Sequence, residues 1–312
     1  MDLLKIIEGI RTPVGDAFFT FLANAINEYV LIVIALVILW CVNKTKGYYV
    51  MMLTFLGMLC NQFMKIAFRI PRPWVLDPEF NPVAAAKPSA TGYSFPSGHT
   101  QSMSSLLGGV TMAFKKKWLR VFCIGFIVLT AYSRMYLGVH TLLDVSVAIG
   151  ISALMVVALW PAFKSGEVNE KGMYWILGIS VAGAIAFATF VTVYPFPADV
   201  DVENLAEATK NAWMFLGMSF AVLLTYFVDT KYTKFPIHGV WWAQLLKCAI
   251  GTGLVLGVKG LLKAPLNLLF NGHPAADAVR YFFVILMAGV IWPLSFKFWA
   301  KVGKKKQAEL VS

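Results

Sequence analysis

The sequence predicts an all-α protein, a polytopic helical bundle in a membrane, and three observations support this prediction. Of the 312 residues, 59% are hydrophobic and only 14% are charged, whereas an average soluble domain is roughly 45–50% apolar and about 25% charged. The mean hydropathy is +0.70. Long uncharged stretches, which approach the roughly 20 residues that a membrane-crossing helix needs, are 29–42, 145–160, 173–194 and 281–292. A soluble enzyme, a disordered chain and a disulfide scaffold are excluded by this composition.

About nine candidate transmembrane helices and one short amphipathic helix account for most of the chain. Apolar residues recur at helical spacing within residues 2–11, with charged residues between them. This pattern predicts an N-terminal interfacial helix that ends near Pro13. The nine predicted spans are 25–42, 47–69, 98–114, 118–136, 141–163, 173–194, 212–228, 241–262 and 279–299.

The net charge of +11 lies mostly in short segments beside the predicted spans, so it indicates membrane orientation and not nucleic-acid binding. One set of alternating segments carries 15 Lys and Arg residues, and the opposite set carries 7. The basic set is 43–47, 115–120, 164–171, 229–239 and 297–312. By the positive-inside rule this set is cytoplasmic, so we expect the N-terminus and residues 71–96 outside and the C-terminus inside.

Three groups of polar residues lie at the predicted outer ends of spans two to five. Ionisable residues in membrane helices are costly and are therefore candidates for function. The groups are Lys65 with Arg69 and Arg72, then Pro96-Ser97-Gly98-His99, then Ser133-Arg134 with His140 and Asp144.

Each group alone also has a structural explanation. Lys65 can extend its amine to the membrane surface, a Pro-Ser-Gly turn can simply begin a helix, and His140 and Asp144 can form a surface ion pair. The combination of the three groups favours a catalytic site over these structural explanations. Cations and a helix N-terminus together suit a phosphate dianion. Because His140 and Asp144 are spaced i and i+4, we expect them to stack on one helix face, with the carboxylate behind the imidazole.

The three groups together resemble the signature of the type 2 phosphatidic acid phosphatase family of lipid phosphatases, which also includes glucose-6-phosphatase and vanadium haloperoxidases. Lys65 to Pro73 matches KxxxxxxRP, Pro96 to His99 matches PSGH, and Ser133 to Asp144 matches SRxxxxxHxxxD. The resemblance covers roughly residues 60–150.

The resemblance implies a role for each matched residue. Lys65, Arg72 and Arg134 would hold the phosphate oxygens, assisted by Ser97 and the Gly98 N–H. His140 would attack phosphorus to form a phosphohistidine, and Asp144 would orient it. His99 would protonate the leaving oxygen. The family implies no cofactor and no metal ion.

We therefore expect an integral-membrane phosphatase that acts at the extracytoplasmic face of a bacterial cell membrane on a lipid phosphomonoester or diphosphate. Polyprenyl diphosphate, phosphatidic acid and phosphatidylglycerol phosphate are the leading substrates. One alternative is a water-soluble sugar phosphate, because the nine-span layout resembles glucose-6-phosphatase, and another is a lipid or anion transporter. The expected partners are membrane lipids and the phosphorylated lipid substrate, with no nucleic acid.

The remaining expectations concern architecture. Residues 1–163 are expected to form the catalytic membrane core, and residues 164–312 to add transmembrane helices of unknown role. Arg69 and the four cysteines are interpreted as structural, the cysteines as buried free thiols. Four glycines in the 241–262 span are expected to permit close helix packing; they are Gly251, Gly253, Gly257 and Gly260.

Overall fold

The computed structural model describes residues 1–25 and 28–303, and all regular secondary structure in these ranges is helical. The predicted all-α class is confirmed. The first eight α-helices are α1 Asp2–Gly9, α2 Pro13–Ala25, α3 Glu28–Val37, α4 Lys44–Phe68, α5 Pro73–Leu76, α6 Gly98–Ala113, α7 Lys117–Tyr136 and α8 Leu142–Leu159. The remaining six are α9 Glu170–Val193, α10 Val202–Val228, α11 Trp241–Leu261, α12 Lys263–Leu269, α13 Ala275–Leu286 and α14 Phe296–Trp299.

Seven helices in the described ranges are long and apolar enough to cross a membrane, or up to eight if a bent N-terminal pair forms one span. The polytopic prediction is therefore confirmed. The predicted span 98–114 corresponds to α6, which has only 16 residues and is mostly buried among other helices. The predicted span 25–42 corresponds to α3 and the π-helical turn Ile38–Val42, and its residues 26 and 27 lie outside the described ranges, as do tail residues 304–312.

The N-terminus contains one more helix than the sequence predicts. Helix α1 matches the expected amphipathic helix, and its Leu4 and Ile7 are buried. Pro13, which was expected only to terminate that helix, is the first residue of α2. Proline is well suited to the first helical position, where its missing N–H has no intrahelical acceptor.

The described residues form two compact units, and the first comprises 1–35, 48–167 and 193–208. Helix α6 lies in its interior and packs against α7 and α8. Polar side chains join α6 to α8, since Gln101 Nε2 donates to Ser152 Oγ at 2.9 Å. Helix α4 passes α6 at Gly57, where a Cβ atom would be only 2.5 Å from Ser105 Oγ.

The second unit comprises 36–47, 168–192 and 209–312, of which residues up to 303 are described. Its buried charges have partners: Lys44 Nζ lies 2.7 Å from Asp229 Oδ1, and Lys247 Nζ donates to Trp40 O at 2.8 Å. A transporter would need polar groups available to a passing ligand, so this pairing does not support that alternative.

Two expectations about glycines and cysteines are corrected. Gly251 does pack closely, since a Cβ there would meet the Trp292 ring, but Gly253, Gly257 and Gly260 have no neighbour within 4 Å and face open space. All four cysteines are free, as expected, but only Cys123 is fully buried.

Candidate active site

The first unit brings the three signature groups into contact at the C-terminal ends of α4 and α7 and the N-terminal ends of α6 and α8. Arg72, four residues after α4, has Nη1 at 3.0 Å from His140 Nε2. The Ser97 N–H, just before α6, donates to the Asp144 carbonyl in α8 at 3.1 Å. Residues that are up to about 80 positions apart in the chain therefore meet in one place.

Arg72 is the most heavily bonded side chain of the site. It is buried, and its Nε donates to Gly92 O at 3.0 Å while Nη1 donates to Val139 O at 3.0 Å. Nη2 donates to Thr91 O. These backbone acceptors hold the guanidinium plane with one edge against His140. All three guanidinium nitrogen atoms of Arg72 thus have backbone acceptors.

His140 lies in the tight connection between α7 and α8. Gly138, with φ of +74°, turns the chain after α7 in a left-handed conformation that glycine tolerates best. Arg11 secures this turn from the N-terminal region by donating from Nε to Tyr136 O at 2.8 Å. His140 therefore precedes α8, and the expectation that His140 and Asp144 stack on one helix face was wrong.

A capping box, and not a helix face, pairs Asp144 with His140. Thr141 is the N-cap of α8; its hydroxyl accepts from the Asp144 N–H, and Asp144 Oδ2 accepts from the Thr141 N–H at 2.7 Å. The same Oδ2 atom lies 3.5 Å from His140 Nδ1. Such catalytic contacts are often long before substrate binds and shorten in the complex.

Burial and then the nearby Arg72 guanidinium lower the pKa of His140 well below its ordinary value, although Asp144 opposes this shift. The imidazole is therefore neutral at pH 7. With Nδ1 toward the Asp144 carboxylate, the lone pair is on Nε2, which faces Arg72. A neutral imidazole in this tautomer is suited to act as a nucleophile.

Arg134 and Lys65 are the other two cations of the site, beside Arg72. Lys65 is buried, and its Nζ donates to Tyr93 O at 2.7 Å. Arg134 is only 1% exposed, and its Nε and Nη1 have no hydrogen-bond partner in the described residues. Two buried N–H groups without acceptors are energetically costly, and an anion beside them would remove that cost.

The PSGH group forms the start of α6. Ser97 is its N-cap and Gly98 its first residue, so the first N–H groups of the helix have no intrahelical acceptor. His99 is partly buried, and the charges of Arg134, Lys65 and Arg72 all act on its ring. The two signature histidines thus share one set of cations.

A cavity of about 460 Å³ lies beside Arg72. Its lining includes Arg69, Tyr93, Pro197, Asp201 and Asn204. The guanidinium carbon of Arg69 lies 5.7 Å from the centroid of the Tyr194 ring and 5.6 Å from that of Phe196, and the structural role expected for Arg69 stays a prediction. In the described part of the chain, no group of three or more His, Cys, Asp or Glu residues could hold a metal ion.

Two family models match the chain. The model described as the PAP2 superfamily matches residues 46–165. The model described as PAP2 superfamily phosphatase, transmembrane extension, matches residues 213–304. Together they cover more than half of the chain, and the first contains every predicted site residue.

The chain belongs to the PAP2 superfamily.

Curated proteins of similar sequence are phosphatases or diphosphatases by name. An undecaprenyl-diphosphatase of Sulfolobus acidocaldarius is 29% identical over 174 residues, which are 55% of this chain and 79% of the relative. A lipid A 4'-phosphatase of Bacteroides thetaiotaomicron is 29% identical over 150 residues, 45% of this chain and 65% of the relative. The undecaprenyl-diphosphatase BcrC of Bacillus subtilis is 27% identical over 152 residues, 46% of this chain and 74% of the relative. No solved structure gives a significant match.

These matches confirm the predicted family and reaction class: the chain is a PAP2 superfamily membrane phosphatase. The sugar-phosphate alternative is not favoured, because the matched relatives are named for lipid substrates. Residues 166–212 lie between the two matched regions. They include the acidic stretch 199–207, for which the sequence suggests no role.

Two polar residues of this PAP2 site were missed from the sequence. Ser94, fully buried, donates to Asp144 Oδ2 at 2.7 Å and lies 3.4 Å from His140 Nδ1, so it bridges the pair. Asn61, one turn before Lys65 on α4, donates from Nδ2 to Pro96 O at 3.2 Å. The i, i+4 spacing of Asn61 and Lys65 was the one sequence signal that could have identified Asn61.

Proposed function

We propose that this PAP2 superfamily protein removes phosphate from membrane lipid phosphates or diphosphates through a phosphohistidine on His140, with a polyprenyl diphosphate as the leading substrate. One observation carries the proposal: Arg134 presents two buried N–H groups without acceptors in a site where Arg72 contacts the neutral His140. Such a site binds a phosphate dianion and places a nucleophile beside it. The names of the relatives, two undecaprenyl-diphosphatases and a lipid A phosphatase, support a lipid as the carrier of that phosphate.

The proposed reaction has two steps. In the first, His140 Nε2 bonds to phosphorus, the bond from phosphorus to the leaving oxygen breaks, and His99, which is protonated when the phosphate dianion is bound, gives that oxygen its proton and becomes neutral. Before this attack, Arg72 turns an N–H group from His140 to a phosphate oxygen, which frees the Nε2 lone pair. In the second, water attacks phosphorus, the bond from phosphorus to His140 Nε2 breaks, the neutral His99 takes a proton from the water, and inorganic phosphate leaves. Asp144 and Ser94 keep His140 Nδ1 protonated throughout.

The cations, with Ser97 and the Gly98 N–H, stabilise charge on the phosphate oxygens in both steps. Preorganised donors of this kind commonly supply the largest share of catalysis, because they need no rearrangement in the transition state. We include Lys65, Arg72 and Arg134 in this set.

We further propose that residues 1–163 carry the catalytic residues and that residues 164–312 add transmembrane helices of unknown role, apart from residues 193–208, which belong to the first compact unit. The proposed location is a bacterial cell membrane, with the active site outside and the C-terminus in the cytoplasm. The charge asymmetry of 15 basic residues against 7 supports this orientation, and two of the matched relatives are bacterial.

Phosphate release by the purified protein from a panel of substrates tests the proposal. The panel contains undecaprenyl diphosphate, phosphatidic acid, phosphatidylglycerol phosphate and glucose 6-phosphate. We expect kcat/KM for at least one lipid to exceed that for glucose 6-phosphate by tenfold or more. A tenfold preference for glucose 6-phosphate would contradict the proposal.

The same assay tests metal independence. We expect activity to persist in excess EDTA and to fall with orthovanadate, which adopts the trigonal-bipyramidal geometry of phosphoryl transfer. Loss of activity in EDTA that Mg²⁺ restores would show that the arginines and Lys65 do not take the place of a metal ion.

A further inference from the structure

The substrate-binding cations are held by three consecutive backbone carbonyls. Thr91 O and Gly92 O accept from Arg72, and Tyr93 O accepts from Lys65 Nζ at 2.7 Å. We call residues 91–93 the cradle loop. Because Arg72 also contacts His140, any shift of the cradle loop would alter the direction of Arg72 toward the reacting phosphorus.

One side chain from outside both family-matched regions forms a hydrogen bond with this loop. Thr91 Oγ1 donates to Glu207 Oε1, in α10, at 2.8 Å. Glu207 Oε2 lies 3.5 Å from the position that a Cβ atom would take at Gly92, and Lys65 Nζ lies 3.8 Å from the same position. Gly92 has φ of +68°, which glycine adopts without strain. All of these residues belong to the first compact unit.

The carboxylate also contributes charge. It is close enough to Lys65 and Arg72 for its negative charge to act on both. Its Oε1 accepts from Thr91, and among the described residues no hydrogen bond or ion pair joins Glu207 to Lys65 or Arg72. The bonded connection of Glu207 to the cations therefore runs through the loop that holds them.

We infer that Glu207 is a positioning residue for phosphate binding, and that it works by anchoring the cradle loop through Thr91. The inference rests on the proposed function of this site. It gives a role to the acidic stretch 199–207: one of its carboxylates sets the geometry of Arg72 and Lys65, although it never touches the substrate.

The test uses purified full-length protein and two independent readouts, steady-state kinetics on undecaprenyl diphosphate and the rise in unfolding temperature caused by orthovanadate. Glu207→Ala and Thr91→Val each remove the hydrogen bond, and the loss of one such bond changes an equilibrium constant by a factor of about five. We expect each to raise KM by about fivefold, to change kcat by less than about twofold, and to weaken orthovanadate protection. The double variant should be no worse than either single variant, because both remove the same bond.

Conservative variants and a matched control make the test specific. Glu207→Gln keeps an acceptor oxygen and Thr91→Ser keeps the hydroxyl, so both should stay within about twofold of the wild type. Glu203→Ala is the control, because Glu203 is an exposed acidic residue about one turn earlier on α10. Thr91 is exposed, so the Thr91 pair carries the test if Glu207→Ala does not fold.

Three results would overturn the inference: equal effects of Glu207→Ala and Glu203→Ala, fully additive losses in the double variant, or no recovery in Glu207→Gln. Failure of the proposed function gives a different result. In that case the wild type releases no phosphate from any lipid, while orthovanadate protection still depends on Glu207 and Thr91.

Discussion

Arg134 has an energetic cost in the free protein that a bound phosphate would remove. Its guanidinium is almost fully buried, with Nε and Nη1 lacking acceptors in the described residues. Leaving buried donors unsatisfied costs about 1–3 kcal/mol, and proteins retain such groups mainly where a ligand uses them. At this residue, stability and function are therefore opposed.

We predict that Arg134→Met raises the free energy of unfolding of the free protein by about 1–3 kcal/mol, because it removes the unsatisfied charge and keeps an apolar side chain of useful length. The same change should abolish orthovanadate protection. Denaturation in detergent, with and without orthovanadate, measures both effects. A variant that is less stable than the wild type would mean that Arg134 contributes to the free protein, contrary to this explanation.

The two histidines have different proposed roles, which place different demands on the leaving group. His140→Ala removes the nucleophile, so activity on every substrate should be lost severely. His99→Ala removes a proton donor, a role worth roughly 10²–10⁴-fold. An alkoxide leaving group needs that proton, whereas p-nitrophenolate is stable without it.

His99→Ala should therefore retain more relative activity on p-nitrophenyl phosphate than on an alkyl phosphate, and His140→Ala should show no such difference. Rates of both variants on the two substrates provide the measurement. The opposite pattern would reverse the two assignments, and equal losses in all four cases would remove support for His99 as the acid.

At the scale of elements, some glycines allow two helices to approach so closely that no side chain would fit between them. Helix α10 approaches α13 at Gly217, where a Cβ atom would lie 2.0 Å from the backbone carbonyl oxygen of Ala278. Backbone atoms cannot move aside as the end of a side chain can. This glycine is therefore required for the packing of the two helices, whereas Gly253 on α11 has open space.

We predict that Gly217→Ala lowers the free energy of unfolding by about 1–3 kcal/mol, which is the usual cost of overpacking. Gly253→Ala is the matched control. It should be neutral or stabilising by up to about 1 kcal/mol, because alanine favours the helix more than glycine does. Thermal unfolding of both variants is the measurement, and equal stability of the two would contradict the close approach of α10 and α13.

At the scale of the whole molecule, orientation in the membrane decides which compartment supplies the substrate. We propose that the active site lies on the outer side together with residues 71–96, and that residues 115–120 are cytoplasmic. Ala85 and Lys116 are exposed positions on these two segments, so each can carry a reporter cysteine without disturbing the interior.

We predict that Ala85→Cys reacts with a membrane-impermeant maleimide in intact cells, and that Lys116→Cys reacts only after permeabilisation. The wild type, with its four native cysteines, gives the background labelling. Reaction of Lys116→Cys in intact cells would reverse the orientation and move the site to the cytoplasm.

Composition and short-range spacing were sufficient to predict the helical membrane fold and the family of this protein. Long uncharged runs of apolar residues are buried in lipid as helices, which satisfy their own backbone hydrogen bonds, and the three signature groups are each local patterns of a few residues. The candidate site residues were identifiable for the same reason, since Lys65, His99 and His140 each stand within such a pattern.

The tertiary structure alone decided how those residues are held. Ser94 reaches Asp144 across 50 positions of the chain, and Thr91 reaches Glu207 across 116. The pairing of His140 with Asp144 depends on a helix that begins at Leu142 and not earlier, after the turn at Gly138. Hydrogen bonds between distant segments leave no periodic trace in a single sequence, because their partners are set by how the helices pack and not by local spacing.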